Sequence, residues 1–213
     1  MAVSFPVRCA MQLPEFFDAV PPLVLRDPLA AFLGAAEDGL IEYRYADAVK
    51  LAGHSCPTVA GAWLMTRCAL AALHGDAVPE RGGLKVEFRD AQDSGVTGVI
   101  ANVAGLLTGA AGDGGFKGLG GRFNRRGLMA FGVPMEGEIR FTRVDTAAAV
   151  ETAYRPQLVP PQPETGMLLQ KIQAGSASAE ERRTFGRLWQ ERVKHLLLGQ
   201  AGTPEWVTVS RKS

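Results

Sequence analysis

Cysteine is scarce in this chain: Cys9, Cys56 and Cys68 are its only three among 213 residues. Any pairing leaves one thiol over, which excludes a disulfide framework and points to a reducing, cytoplasmic setting. An excess of charge of one sign is missing as well. Lysine and arginine number 23 against 22 acidic residues, a formal net charge of +1. No broad basic field calls for nucleic acid, and there is no acidic tail. Long hydrophobic runs are also lacking. The longest, Pro57 to Leu73, is short for a membrane span and carries Arg67, so a buried core helix is expected and no membrane partner. Met1 to Ala10 has neither a charged start nor an apolar h-region, so a secretory signal is not expected. No internal repeats are apparent.

What is present describes a globular protein, 46% hydrophobic and 21% charged. Residues 1 to 26, broken by four prolines, give no clear element. Asp27-Pro28 reads as an N-cap followed by proline at the first helical position, opening a helix that stops at Gly34. Ile41 to Tyr45 alternates like a half-buried strand, and Ala46 to Ala52 reads as a short helix. Pro57 to about His74 is apolar nearly all round, so it must be covered on more than one side. Leu84 to Arg89 is the clearest strand, and Val96 to Leu107 is weighed slightly towards helix. Leu128 to Phe131 and Glu138 to Val144 are further strands. A proline-rich linker is expected at 151–165. A C-terminal segment, 166–213, follows, with a short helix near Met167 and a capping box at Ser178 to Glu181 opening a longer one. Its apolar face, Phe185, Leu188, Trp189, Val193, Leu196 and Leu197, docks on its own domain or on a partner. Trp206 to Val209 closes the chain as a short strand.

The chemistry concentrates in Gly53-His54-Ser55-Cys56-Pro57. An imidazole and a thiol stand two residues apart where the apolar helix begins. Pro57 suits the first turn, and at a helix N-terminus the macrodipole favours a thiolate at Cys56. The pair is either a metal site of the borderline-soft kind or an activated nucleophile. A structural turn with a buried cysteine is the bland alternative. Asp90, Asp93, Asp113 or water are the remaining candidate ligands. His74 and His195, near helix C-termini, are expected to cap them as cations.

Between Gly109 and Gly121 the chain has seven glycines in thirteen residues, followed by Arg122, Arg125 and Arg126. The Walker pattern is absent because Lys117 is followed by glycine, and no dinucleotide fingerprint is formed. Lys117 and Arg122 mark this segment either as a mobile cationic lid over a small anionic ligand or as an ordinary solvated loop.

The stretch from Asp47 to Pro57, with its following helix and the Asp90-Ala91-Gln92 turn after a strand, resembles the FmdE-like family, named for a component of formylmethanofuran dehydrogenase. The resemblance covers roughly residues 40 to 145 and rests on the Gly-His-x-Cys-Pro motif at the start of a long helix. It implies an α+β domain with a mixed sheet on a long central helix (here residues 1–150), a homodimer, and a divalent transition metal, commonly zinc, held by His54 and Cys56. Ala52, Thr58 and Ser94 to Thr97 stand where that family often has a histidine, a glycine and a cysteine-bearing turn. An oxygen ligand or an open position would then replace the third thiolate. Cys56 is also the candidate catalytic residue, whether beside a metal or as a metal-free nucleophile. A non-enzymatic accessory protein using its C-terminal helix is the remaining reading.

Overall fold

The computed structural model describes residues 12–199 and 204–212; Cys9 lies outside them. The chain forms an α+β fold. Its spine is the central apolar helix, which takes the place in chain order of a third helix after two short ones, α1 (Pro28–Phe32) and α2 (Tyr45–Ala52). This α3 (Pro57–His74) has Cys56 as N-cap and Pro57 at its first position. Ala-rich sequence gives it strong helix propensity. Val59, Ala60, Ala62, Trp63, Leu64, Met65, Ala69 and Leu70 are all buried. Each large apolar side chain so covered contributes roughly 1.5–3 kcal/mol.

Both sides of this helix are occupied, which explains its nearly uniform apolarity. On one side lies a five-stranded mixed sheet, in the order β4-β3-β5-β6-β7, built from β3 (Leu84–Phe88), β4 (Met129–Ala130), β5 (Ile139–Arg143), β6 (Ala149–Tyr154) and β7 (Val207–Lys212). Only β3 and β4 run parallel. On the other sides lie α2, α4 (Thr97–Thr108) and α6 (Ala179–Leu198). The register explains the two faces of the sheet. Val86, Phe141 and Val150 stand in one row and are buried in the core. The next row, Glu87, Arg140 and Glu151, alternates in sign across three strands. Arg140 meets Glu151 at 2.7 Å, and Lys212 adds a second cation at 3.2 Å. Opposite charges directly across strands favour this pairing.

The C-terminal segment belongs to the same body. α5 (Pro163–Gln173) packs on α6, and α6 buries Leu188, Val193, Leu196 and Leu197 within the chain itself. Its capping box forms as the sequence predicts, with Glu181 N–H on Ser178 Oγ and Ser178 N–H on Glu181 Oε2. β7 then returns to the sheet beside β6.

Several expectations need correction. The linker expected at 151–165 holds most of β6, a 3-10 turn and the start of α5, because Val150, Glu151 and Thr152 find a place between β5 and β7. The unassigned stretch ahead of Asp27 contains β1 (Leu23–Arg26), which pairs with β2 (Leu40–Tyr43) in a separate two-stranded sheet. His74 does not cap α3 as a cation. Arg143 donates to the Leu73 carbonyl at 3.2 Å, while burial and the Arg143 charge lower the His74 pKa, with Asp145 opposing. Among the described residues no helix is long and apolar enough to cross a membrane.

Candidate functional site

The His-x-Cys motif is built from the end of one helix and the start of the next. α2 closes at Gly53, whose left-handed backbone (φ 76°) suits glycine and whose N–H bonds the Val49 carbonyl. That reversal turns the exposed His54 ring back on the helix end. His54 Nδ1 donates to the Ala52 carbonyl at 2.9 Å, which puts a proton on Nδ1 and makes Nε2 the acceptor of the neutral ring. Cys56, half-buried, is the N-cap of α3 but makes no side-chain capping bond. Its sulfur is not spent on the helix.

Ser55, between the two, is held from both sides. Its hydroxyl lies 3.1 Å from Tyr45 Oη. Its carbonyl accepts from Trp189 Nε1 and Gln190 Nε2, each at 3.1 Å. The C-terminal helix α6 therefore clamps the motif within one chain. Two buried polar atoms nearby have no partner: Tyr154 Oη and Gln190 Oε1. Burial pushes the Tyr154 phenol above its ordinary value; Arg192 opposes, and Tyr45 and Cys56 add to the rise. Burial does the same at Tyr45, against the Ser55 hydrogen bond.

The other candidate ligands do not gather at the motif. Asp90 is taken by Arg89 at 3.2 Å. The described residues contain no group of three or more His, Cys, Asp or Glu side chains able to hold one ion. Asp93 and Asp113 thus form no such group with His54 and Cys56.

A second polar centre lies at the glycine-rich segment. Its backbone is laced rather than open: Ala111 N–H bonds the Arg125 carbonyl, Arg125 N–H the Phe116 carbonyl, and Leu128 N–H the Ala111 carbonyl. Leu119 and Arg122 exchange both backbone hydrogen bonds at 2.9 Å around Gly120 and Gly121, whose φ values are 54° and 79°. Two successive positive φ values make the tight hairpin turn that glycine permits. Arg122 emerges from it with its guanidinium 4.8 Å from the centre of the Phe123 ring. Lys117 and Arg122 border different clefts. Arg122 lines one of about 490 Å³ with Arg26, Arg81 and Arg125. Lys117 lines a shallower one with Asp113 and Arg126, and Asn124 borders both.

Beneath the cleft that Arg122 lines, Asp27 gathers two arginines. Its Oδ1 accepts from Arg125 Nη2 at 2.7 Å and from the Leu29 N–H at 3.0 Å, and its Oδ2 accepts from Arg81. Arg81 also donates to the Leu106 and Leu107 carbonyls near the end of α4. Burial alone would raise the Asp27 pKa, but the Arg125 and Arg81 charges hold it below its ordinary value. The sequence marks Asp27 as a cap and carries no sign of its part as an ionic hub. Its partners lie far along the chain, so no local signal marks them. The same holds for Tyr154, Trp189 and Gln190 around the motif.

No protein-family model matches the chain, and a search of curated proteins gives no match.

Proposed function

We propose that this chain is a cytoplasmic, homodimeric metal-binding protein of the FmdE-like type. In this reading His54 and Cys56 hold a divalent transition metal, zinc foremost, and leave positions open to water or a small anionic molecule. The observation that carries it is the His54 ring, whose Nδ1–H is anchored on the Ala52 carbonyl, so that Nε2 is the nitrogen a metal would take. Metal-bound imidazoles are oriented in this way by a second hydrogen bond. Cys56 adds a soft donor whose sulfur no capping bond consumes. Zinc sites in enzymes ordinarily take three protein donors, so with these two the remaining positions fall to oxygen ligands.

Bound there, such a metal supplies Lewis acidity. The chain's own residues supply position and polarity. Trp189 and Gln190 hold Ser55 still between the two donors. Tyr154 Oη and Gln190 Oε1, close to the motif, are buried and unpartnered.

The test is the metal content of protein purified without added metal, for the native chain, His54→Ala and Cys56→Ser. Near-stoichiometric metal in the native chain and its loss in both variants is the expected result. Equal content in all three overturns the reading. Sedimentation equilibrium at micromolar concentration should give twice the chain mass.

A second reading is favoured by the missing third protein donor among the described residues. Cys56 then acts as a metal-free nucleophile with His54 as its base. Fast single-site alkylation of Cys56, unchanged by a chelator, would support it; acceleration on adding chelator supports the metal.

A further inference from the structure

We propose that the cleft bordered by Arg26, Arg81, Arg122 and Arg125 binds the phosphate group of a small molecule. This builds on the anionic-ligand half of the proposed function and stands apart from the metal, since the cleft shares no lining residue with His54 or Cys56.

Four arginines from three distant chain segments line the cleft, and Glu80 is the only acid that does. Asp27, beneath it, is shared between Arg81 and Arg125. Four positive charges against two negative ones leave a surplus of two. Arg26 and Arg122 are exposed and make no ion pair among the described residues. The surplus is held against its own repulsion. Burial lowers the Arg125 pKa, and the Arg81 charge lowers it further, while Asp27 pulls the other way. A concave site with excess charge of one sign focuses the field on an incoming counter-ion.

A further observation points to a ligand independently. Arg125 is only 7% exposed, yet its buried Nη1 has no hydrogen-bond acceptor. It lies between Gly82, which lines the cleft, and Gly109, which does not, and a side chain at either glycine would collide with it. A buried guanidinium is costly unless its donors are satisfied. The cleft volume of about 490 Å³ suits a small metabolite. A phosphate monoester carries two negative charges and several oxygens, matching the surplus of two and the fork geometry of arginine. Phe123 and Pro28 provide apolar walls for the rest of the molecule.

The experiment is calorimetric titration of the full chain, with chelator present, using inorganic phosphate, glycerol 3-phosphate and succinate as probes. Saturable binding of both phosphate probes, tighter than succinate, is expected. Arg26→Gln and Arg122→Gln should each weaken it roughly tenfold, the size of one charge-assisted hydrogen bond. Both side chains are exposed, so neither change opens the core. Lys194→Gln, which removes one charge from the exposed face of α6, should leave binding unchanged. Absence of saturation, tighter binding of succinate, or an equal loss in Lys194→Gln overturns the proposal. Because metal is excluded throughout, such a failure leaves the metal measurement untouched.

Discussion

Asp27 and Arg125 stand 98 positions apart in the sequence and 2.7 Å apart at Oδ1 and Nη2. That bond, with the one from Arg81, ties the small β1–β2 sheet and α1 to the glycine-rich segment and to the end of α4. Removing one member of a buried ion pair leaves its partner charged and unsolvated. Asp27→Asn should therefore cost about 3–5 kcal/mol, measured by urea denaturation at pH 7. The folded-state pKa of Asp27 lies below 3.8, so its stabilisation is complete above that value and fades as pH falls through the folded one. The gap between native and variant stability should shrink as the pH drops below 4. A gap that stays constant would remove the carboxylate from the account.

Gly61 in α3 faces the Tyr154 ring of β6 so closely that an added Cβ would overlap it. Gly61→Ala should destabilise by roughly 1–3 kcal/mol, although alanine is the better helix former. Combined with Tyr154→Ala, the cost of the extra methyl should largely vanish. A double-mutant cycle measures it, and additive losses would refute the contact.

His74 gives a pH signature of its own. Its ring is disfavoured as a cation by burial and by Arg143, so its folded pKa is below 6.5. The unfolded chain then binds more protons, and stability falls as pH drops from 6.5 through the folded value. His74→Leu should flatten that part of the profile relative to the native chain. Identical slopes between pH 7.5 and 5 would show that the ring does not contribute.

Trp189 and Gln190 reach across from α6 to the Ser55 carbonyl. Each bond is worth about 1 kcal/mol, and losing both frees the turn that carries His54 and Cys56. The double variant Trp189→Phe with Gln190→Leu should raise the alkylation rate of Cys56 several-fold, followed by mass spectrometry of the labelled peptide. An unchanged rate would mean that the turn holds without the clamp.

Much of the secondary structure is legible in the sequence because its signals are local. Pro57 after Cys56 marks the start of α3, and the Ser178 to Glu181 box opens α6 as expected. β3 and β5 follow from simple alternation. β6 was hidden because Glu151 and Thr152 interrupt its apolar pattern, and both are buried only once β5 and β7 flank them. The candidate site divides in the same way. His54, Cys56, Lys117 and Arg122 can be named from sequence. The separation of Lys117 and Arg122 into two clefts, and the meeting of Arg122 with Arg26, Arg81 and Arg125, cannot.

The sequence by itself determined the long apolar helix, the cap that precedes it, and the imidazole and thiol at its head, since neighbouring residues settle each of these. Only the tertiary structure decided that α6 locks that turn, that Arg143 rather than His74 caps α3, and that four arginines share a cleft over one buried aspartate. Such relations join residues tens of positions apart. Their energies come from burial and charge pairing, which exist only after the chain has folded.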